Sequence, residues 1–447
     1  MQVKKILLRL VVVAALALPC ATWAQTSSIN AFSPYSMYGI GELNTQGVLS
    51  SRSMGGVGVA MRNPGVVNLF NPAAFSATHQ KSFLFNFGLE GQSYFNKQQS
   101  GDLSKKNSHT SFNFHDIAFQ LPITKGLGLG FSLTPYSSVG YRMAKNQVDG
   151  NFGWGNYSYQ GEGDITEVKV GMGWEVFKNF SIGLSAQYYW GDINRDFTMT
   201  PTNIVDNSTI VSTIGKDKYS ISSIKGQVGV QWDVISSTKR ILTLGATFDF
   251  GGDLNPEVTK HISVGDMYNT TVKGDTTHLA LILPHQLAFG VTYQTPKWVL
   301  GLDYVYQSWG SQNRRNTELS SSGFEVAYKN TSTIKFGVEY TPNRYDIRHF
   351  LNRWSYRMGV RYGGYNQSFG SKDISQYAVT AGIGIPVKSR VISAINIGVE
   401  YGSRGANGNI ADRIGIVKQQ YFKFAIGFSL FAGAENGEYW FLRPKYE

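Results

Sequence analysis

Three stretches restrict what this chain can fold into. "FLFNFGL" at 83–89 sets Phe83, Phe85, Phe87 and Leu89 on one parity and Leu84, Asn86 and Gly88 on the other. "GLGLGFSL" at 126–133 opposes Leu127, Leu129, Phe131 and Leu133 to three glycines and Ser132. "YFKFAIGFSL" at 421–430 aligns Phe422, Phe424, Ile426, Phe428 and Leu430. A period of two with one apolar face is a β-strand, because successive side chains leave a strand on opposite sides. Such segments recur from 81–90 to 418–431, and fourteen can be counted. The tight links near Pro122, Lys178, Ser237, Pro296 and Pro386 alternate with polar stretches at 91–108, 138–161, 193–217 and 253–277, read as long loops. "TPNRYDIRHFLNR", between the tenth strand and an eleventh expected at 348–365, is longer than the tight links at its end. Short turns at one end and long loops at the other, with an even strand count, are the pattern of a transmembrane barrel. The fold class expected is all-β: a transmembrane antiparallel β-barrel of about fourteen strands.

The N-terminus fits that destination. Lys4, Lys5 and Arg9 precede an apolar run at 10–18, and "TWA" at 22–24 reads as a cleavage site. Residues 1–24 are expected to be a signal peptide, and Pro19 argues against reading "LALPC" as a lipoprotein site. The single cysteine, Cys20, would leave with it, so neither a disulfide nor thiolate chemistry is expected. After it no apolar run approaches the ~18 residues of a membrane helix. The net charge of +11 is scattered without a basic block, which argues against nucleic acid as a partner. The expected location is the outer membrane, with membrane lipids as partners.

With the apolar parity assigned to lipid, the charged residues fall on the other one. Glu167, Lys169, Asp303, Lys335, Glu339, Arg361 and Glu400 then face the lumen, since a Lys or Arg facing lipid at mid-membrane costs ~2–4 kcal/mol. They line either a solvated, salt-bridged interior or a path for an ion or substrate. Tyrosines and tryptophans near strand ends, including Trp298, Tyr340, Tyr356 and Tyr401, form the expected interfacial girdle. In the second strand Phe112 and Phe114 share a parity while Ile117, Phe119 and Leu121 take the other. The alternation slips at His115–Asp116, marking a β-bulge. Pro135 is a second expected break in the wall.

One stretch is neither helix nor strand: "RSMGGVGVAMRNPGVVNLFNPAAFSA" at 52–77. Gly55, Gly56, Gly58 and Gly65 allow tight bends, while Val57, Val59 and Phe70 offer apolar contact. A fourteen-stranded bore must be open or filled, so residues 25–80 are expected to fold back as a plug. The segment resembles the N-terminal hatch of the FadL/TodX family of outer-membrane transporters for hydrophobic compounds. In that family an Asn-Pro-Ala motif precedes the first barrel strand, and Asn71, Pro72 and Ala73 match it here. The resemblance implies a fourteen-stranded barrel over 81–431, a hydrophobic small-molecule ligand near Asn71–Ala73, Phe70 and the glycines, and a wall distortion through which it leaves sideways. The family's outer loops form an apolar entry groove, whereas 193–217 and 253–277 here are largely polar. Barrels of this architecture also serve in protein secretion, and the tail 432–447 could meet a periplasmic or secretion-system protein partner.

No pair among the seven histidines has HExxH spacing, no Ser stands in a nucleophile elbow, and "GGVGVAM" lacks the third glycine of a dinucleotide loop. No catalytic residue, metal or cofactor is expected. The expected function is passive outer-membrane transport of hydrophobic small molecules, with a structural or secretion-associated scaffold as the alternative. An inward glycine such as Gly128 is expected to tolerate serine, whereas Leu129→Arg should not be tolerated.

Overall fold

The computed structural model describes residues 33–80, 82–100, 103–149, 153–202, 211–265, 268–274, 281–310, 326–369, 372–387, 393–405 and 417–432. The expected signal peptide, residues 1–24, and the tail beyond Ala432 lie outside them. Fourteen strands among the described residues form the wall: β1 (Phe83–Ser100), β2 (Leu103–Thr124), β3 (Leu127–Asp149), β4 (Gly153–Phe177), β5 (Phe180–Thr202), β6 (Thr213–Ser236) and β7 (Ile241–Asp249). They continue with β8 (Gln286–Gln294), β9 (Trp298–Gln307), β10 (Thr331–Tyr340), β11 (Ser355–Phe369), β12 (Lys372–Pro386), β13 (Ala394–Gly405) and β14 (Lys418–Ala432). Each pairs antiparallel with the next, and β14 returns to β1 from Phe83↔Ala432 to Lys97↔Lys418. The sheet is closed, so no edge runs its full height.

The period-two pattern gives each strand its facing. On β9 Leu302 and Tyr304 are exposed and Asp303 between them is buried. On β11 Met358, Val360 and Tyr362 are exposed while Arg357 is buried. An apolar exterior around a polar interior inverts the order of a water-soluble protein, and defines a transmembrane barrel.

In their described residues, three of the stretches read as long loops are strand instead. The β1–β2 ladder runs to Ser100↔Leu103, β3–β4 to Asp149↔Gly153 and β5–β6 to Met199↔Thr213. Residues 253–277 hold a hairpin, Glu257–Val264 with Tyr268–Gly274, whose first arm adds to β6. Beyond the bilayer both faces of a strand can be polar, so the apolar parity that marks a membrane strand disappears while the backbone pairing continues. Residues such as Val139, Tyr141, Tyr157, Tyr159 and Thr198 still favour extended backbone. At the other end β11 begins at Ser355 rather than 348, because residues 341–354 fold into a loop with a 3-10 turn, Phe350–Arg353.

One ladder stops short. β2 pairs with β3 only between Ile117↔Leu133 and Thr124↔Leu127. Above that point β2 stays with β1 and β3 stays with β4, and the described residues of the two strands no longer pair with each other. Both breaks in alternation lie at this fork. Gly88 pairs with Asp116 and Leu89 with Phe114, so the extra residue of the bulge is His115. On β3, Pro135 and Ser137 pair with consecutive residues of β4, leaving Tyr136 as the extra residue.

Candidate functional site: the inner face and the N-terminal segment

Residues 33–80 lie against the inner face of the wall. The contact is made possible by glycine. At one level of the barrel the inward positions of facing strands are glycine pairs: Gly128↔Gly173, Gly173↔Gly183, Gly183↔Gly229, Gly245↔Gly290, Gly301↔Gly337, Gly337↔Gly359 and Gly382↔Gly398. A Cβ on Gly128 would collide with the Phe75 carbonyl, one on Gly183 with Ala73 N, one on Gly337 with the Met54 carbonyl and one on Gly359 with Gly55 N. The segment's backbone therefore rests directly on the wall's backbone, from Leu49 beside β13 and β14 to Phe75 beside β3. The expectation that Gly128 tolerates serine is overturned. The position faces inward, but the space is already taken by Phe75.

Polar side chains then fasten the segment. Asp303 Oδ2 accepts from Gly58 N at 2.7 Å and Val59 N at 3.0 Å. Thr380 accepts from Gly55 N at 2.9 Å and donates to the Ser53 carbonyl at 3.0 Å. Lys335 and Lys169 donate to the carbonyls of Gly56 and Leu69, each at 3.2 Å. Arg52 pairs with Glu90, which also meets Lys423 at 3.2 Å; Arg62 pairs with Asp233 at 3.0 Å and Glu175 at 3.3 Å. Buried backbone groups without secondary structure need such partners.

Asn71, Pro72 and Ala73 are part of this fastening. Asn71 caps the 3-10 turn Pro72–Ala77 by accepting from Ala73 N at 3.0 Å. Its amide donates to Val59 O at 2.9 Å and to Val230 O of β6 at 3.0 Å. Pro72 and Ala73 are buried against Gly173 and Gly183. Gly55 and Gly56, at φ +73° and +80°, turn the chain where it meets β10 and β11. Gly58 leaves room for the Phe70 ring, which has the Lys335 ammonium 5.2 Å from its centroid.

The remaining inward charges pair with one another. Glu167 meets Lys169 at 3.4 Å, Glu339 meets Arg357 at 2.7 Å and Arg344 at 3.3 Å, and Arg361 meets Glu400 at 2.6 Å. Above the seated segment lies a chamber of about 240 Å³, bounded in part by Glu42, Glu167, Lys169, Asp249, Lys335 and Arg361. Its walls mix apolar residues such as Phe70, Leu283 and Val305 with hydrogen-bonded polar ones, Gln187 and Gln286 both donating to Asp249.

At the fork the first part of the segment takes over from β2. Glu42 and Leu43 pair with Ser138 and Ser137 of β3; Ser33 N and Asn44 N donate to the carbonyls of Gly140 and Tyr136, at 2.8 and 2.9 Å. On the β2 side His115 Nε2 lies 3.0 Å from Thr45 O and its Nδ1 2.7 Å from Asp116, which also accepts from Asn86. Glu42 is held by Arg404 and by the Tyr94 hydroxyl at 3.1 Å. His115, Asp116 and Pro135 thus meet at one place, where residues 42–46 close the wall from within. Sequence reading missed Glu42, Arg52, Arg62, Glu90 and Arg404. Its available clue was a glycine on the inward parity of strand after strand.

The closed fourteen-stranded antiparallel barrel has the fold of FadL-type membrane barrels. Solved structures of that fold include a Pseudomonas aeruginosa FadL homologue (TM-score 0.58, 13% identity, 88% of this chain and 99% of that one). The Pseudomonas putida toluene transporter TodX (0.55, 14%, 89% and 100%) and the Ralstonia pickettii toluene transporter TbuX (0.52, 14%, 86% and 98%) are similar to the same extent. By sequence the chain belongs to the BamG family, whose model matches residues 2–447. No curated protein matches it.

Proposed function

We propose that this chain is an outer-membrane barrel, plugged by its own residues 33–80, through which hydrophobic small molecules pass without energy coupling. The observation that carries this reading is the fork between β2 and β3, the one ladder between adjacent wall strands that stops short among the described residues. The likeness to toluene transporters supports it at the level of fold. An apolar ligand crossing the chamber would displace water from Lys169, Lys335, Glu167 and Asp249 without replacing its hydrogen bonds, which is costly. Passage through the fork avoids that cost, and requires residues 33–46 to leave the edge of β3.

A second reading is a structural or secretion-associated scaffold barrel. The charges in the chamber favour it, since Glu167, Lys169, Lys335 and Arg361 stand among its apolar residues and disfavour an apolar ligand there.

One experiment separates the two. Leu43 and Ser137 are opposite residues in the short ladder. A Leu43→Cys/Ser137→Cys pair, in a Cys20→Ser background, would lock residues 33–46 onto β3. Transport through the fork requires proteoliposome uptake of toluene to fall on oxidation and return on reduction. Uptake equal in both states rejects the fork as the route. Uptake no faster than in empty vesicles, with a stoichiometric protein co-purifying from native membranes, selects the scaffold.

A further inference from the structure

The link between β10 and β11, residues 341–354, departs from the tight turns at 125–126, 178–179, 237–240 and 295–297 at the same end of the barrel. It is built, not slack. Asp346 Oδ1 accepts from the backbone N–H groups of Arg348 and His349 at 2.8 and 2.9 Å, and Oδ2 from the Asn352 amide at 2.6 Å. Asn343 N donates to Asn352 O at 2.8 Å, closing the loop on itself. Yet this ordered loop leaves Ile347 92%, Tyr345 83% and Leu351 59% exposed. Isolated apolar residues on a surface need no account, but several on one braced loop do.

The loop's position identifies what covers them. Tyr356 stands on the lipid-facing parity of β11, with Met358 and Val360, and its hydroxyl donates to Leu351 O at 3.1 Å. The Trp354 ring packs edge-on against Phe350 at 5.8 Å and lies 6.5 Å from Tyr356. The turn 350–354 therefore hangs over the outside of the wall, continuous with the lipid-facing band rather than with the lumen. On the neighbouring strands Trp298 and Tyr340 pack at 4.3 Å, an aromatic pair of the kind found at a membrane interface. Arg348 and His349 are exposed beside the apolar residues, and the Arg353 guanidinium lies 4.8 Å from the Phe350 ring centre. Apolar and aromatic side chains interleaved with cations match the boundary between acyl chains and phosphate headgroups.

We propose that residues 345–353 form a phospholipid-binding foot, with Ile347, Phe350 and Leu351 in the acyl boundary of the leaflet on the turn side and Arg348 and Arg353 on lipid phosphates. The inference needs only that the barrel spans a bilayer, whatever passes through it.

The test is depth. Ile347→Cys and Leu351→Cys, each in a Cys20→Ser background, carry a nitroxide in nanodiscs of phosphatidylethanolamine and phosphatidylglycerol, with Lys239→Cys as the turn control. The foot requires both labels to be more accessible to oxygen than to a water-soluble nickel chelate, with the order reversed at 239. Labels open to the chelate overturn the proposal. So do labels shielded from both reagents, which would mean a protein partner or a second copy. In intact barrels, Arg348→Ser/Arg353→Ser should lower the phosphatidylglycerol retained in native mass spectra by about threefold or more, as expected for two interfacial cations. Unchanged retention rejects the headgroup contact.

Discussion

The two halves of the N-terminal segment are bound in different ways. Residues 49–77 sit on the glycine belt, in contact with strands from β3 round to β14, with backbone touching backbone. Residues 33–46 instead lie along the edge of β3 at the fork, tied by a two-residue ladder and a few backbone bonds, and are anchored by side chains: Glu42 to Arg404 and Tyr94, Ser33 to Gln419, Arg195 to the Gly39 carbonyl and His115 to the Thr45 carbonyl. Dislodging the first half breaks many contacts at once and opens voids against bare glycine. Dislodging the second breaks edge hydrogen bonds and side-chain anchors and exposes the buried Tyr35 and Ile40. One segment is thus held by backbone packing along one part of its length and by edge pairing and side-chain anchors along another.

The largest effect should come from filling the belt. Gly183→Leu and Gly359→Leu place side chains where Ala73 N and Gly55 N now lie, and backbone cannot yield as a flexible side chain does. Overpacking costs about 1–3 kcal/mol where neighbours can shift and more where they cannot. Both variants should lose most of the heat-modifiable barrel on gels. Gly364→Ala, with nothing within 4 Å, should assemble normally. Normal assembly of the leucine variants would mean that the segment does not seat on the belt.

Asp303→Ala comes next. It leaves two buried N–H groups, of Gly58 and Val59, without their acceptor, at a cost of about 2–4 kcal/mol. The denaturation midpoint should drop, and hydrogen exchange should rise across residues 54–60 while 33–46 remain protected.

Glu42→Gln probes the other half. It weakens a charge-assisted bond worth about 1.5–3 kcal/mol. Exchange should quicken over residues 33–46 and stay unchanged over 49–77. If both halves respond together, the distinction between the two modes of attachment fails.

The smallest effect lies outside the wall, and serves to show that exchange reports local rather than global loosening. Bonds from the Asn352 amide and from the His349 and Arg348 backbone hold the Asp346 carboxyl at about 2, below its ordinary 3.8. A depressed carboxylate stabilises the folded loop fully above its unfolded value, and that contribution disappears as pH falls through the folded one. Protection of residues 343–353 should persist down to pH ~4 and decline toward pH ~2. Asp346→Ala should remove most of that protection at neutral pH, with both halves of the N-terminal segment unaffected.

Much of the wall was legible from alternation, because lipid on one side and a polar lumen on the other force a period of two. The same rule located the slip at His115–Asp116. It did not say which residue was extra, since Gly88 on β1 decides that by pairing with Asp116. Nor did it follow the strands past the bilayer, where both faces meet water and only backbone pairing continues. The charges Asp303 and Lys335 were legible as inward, but their use was not. Asp303 holds backbone N–H groups some 245 positions earlier in the chain, and no local pattern records that.

The sequence by itself determined a closed all-β barrel, its lipid face, its strand count and an irregular Gly- and Pro-rich segment ahead of the first strand. Each is a local property, a period of two or a run that can be neither helix nor strand. The tertiary structure alone decided that the inward glycines form one belt, that residues 49–77 rest on it, and that residues 42–46 complete the wall where β2 and β3 part. Those contacts join backbone atoms far apart in the chain, and glycine marks them only by the side chain it lacks.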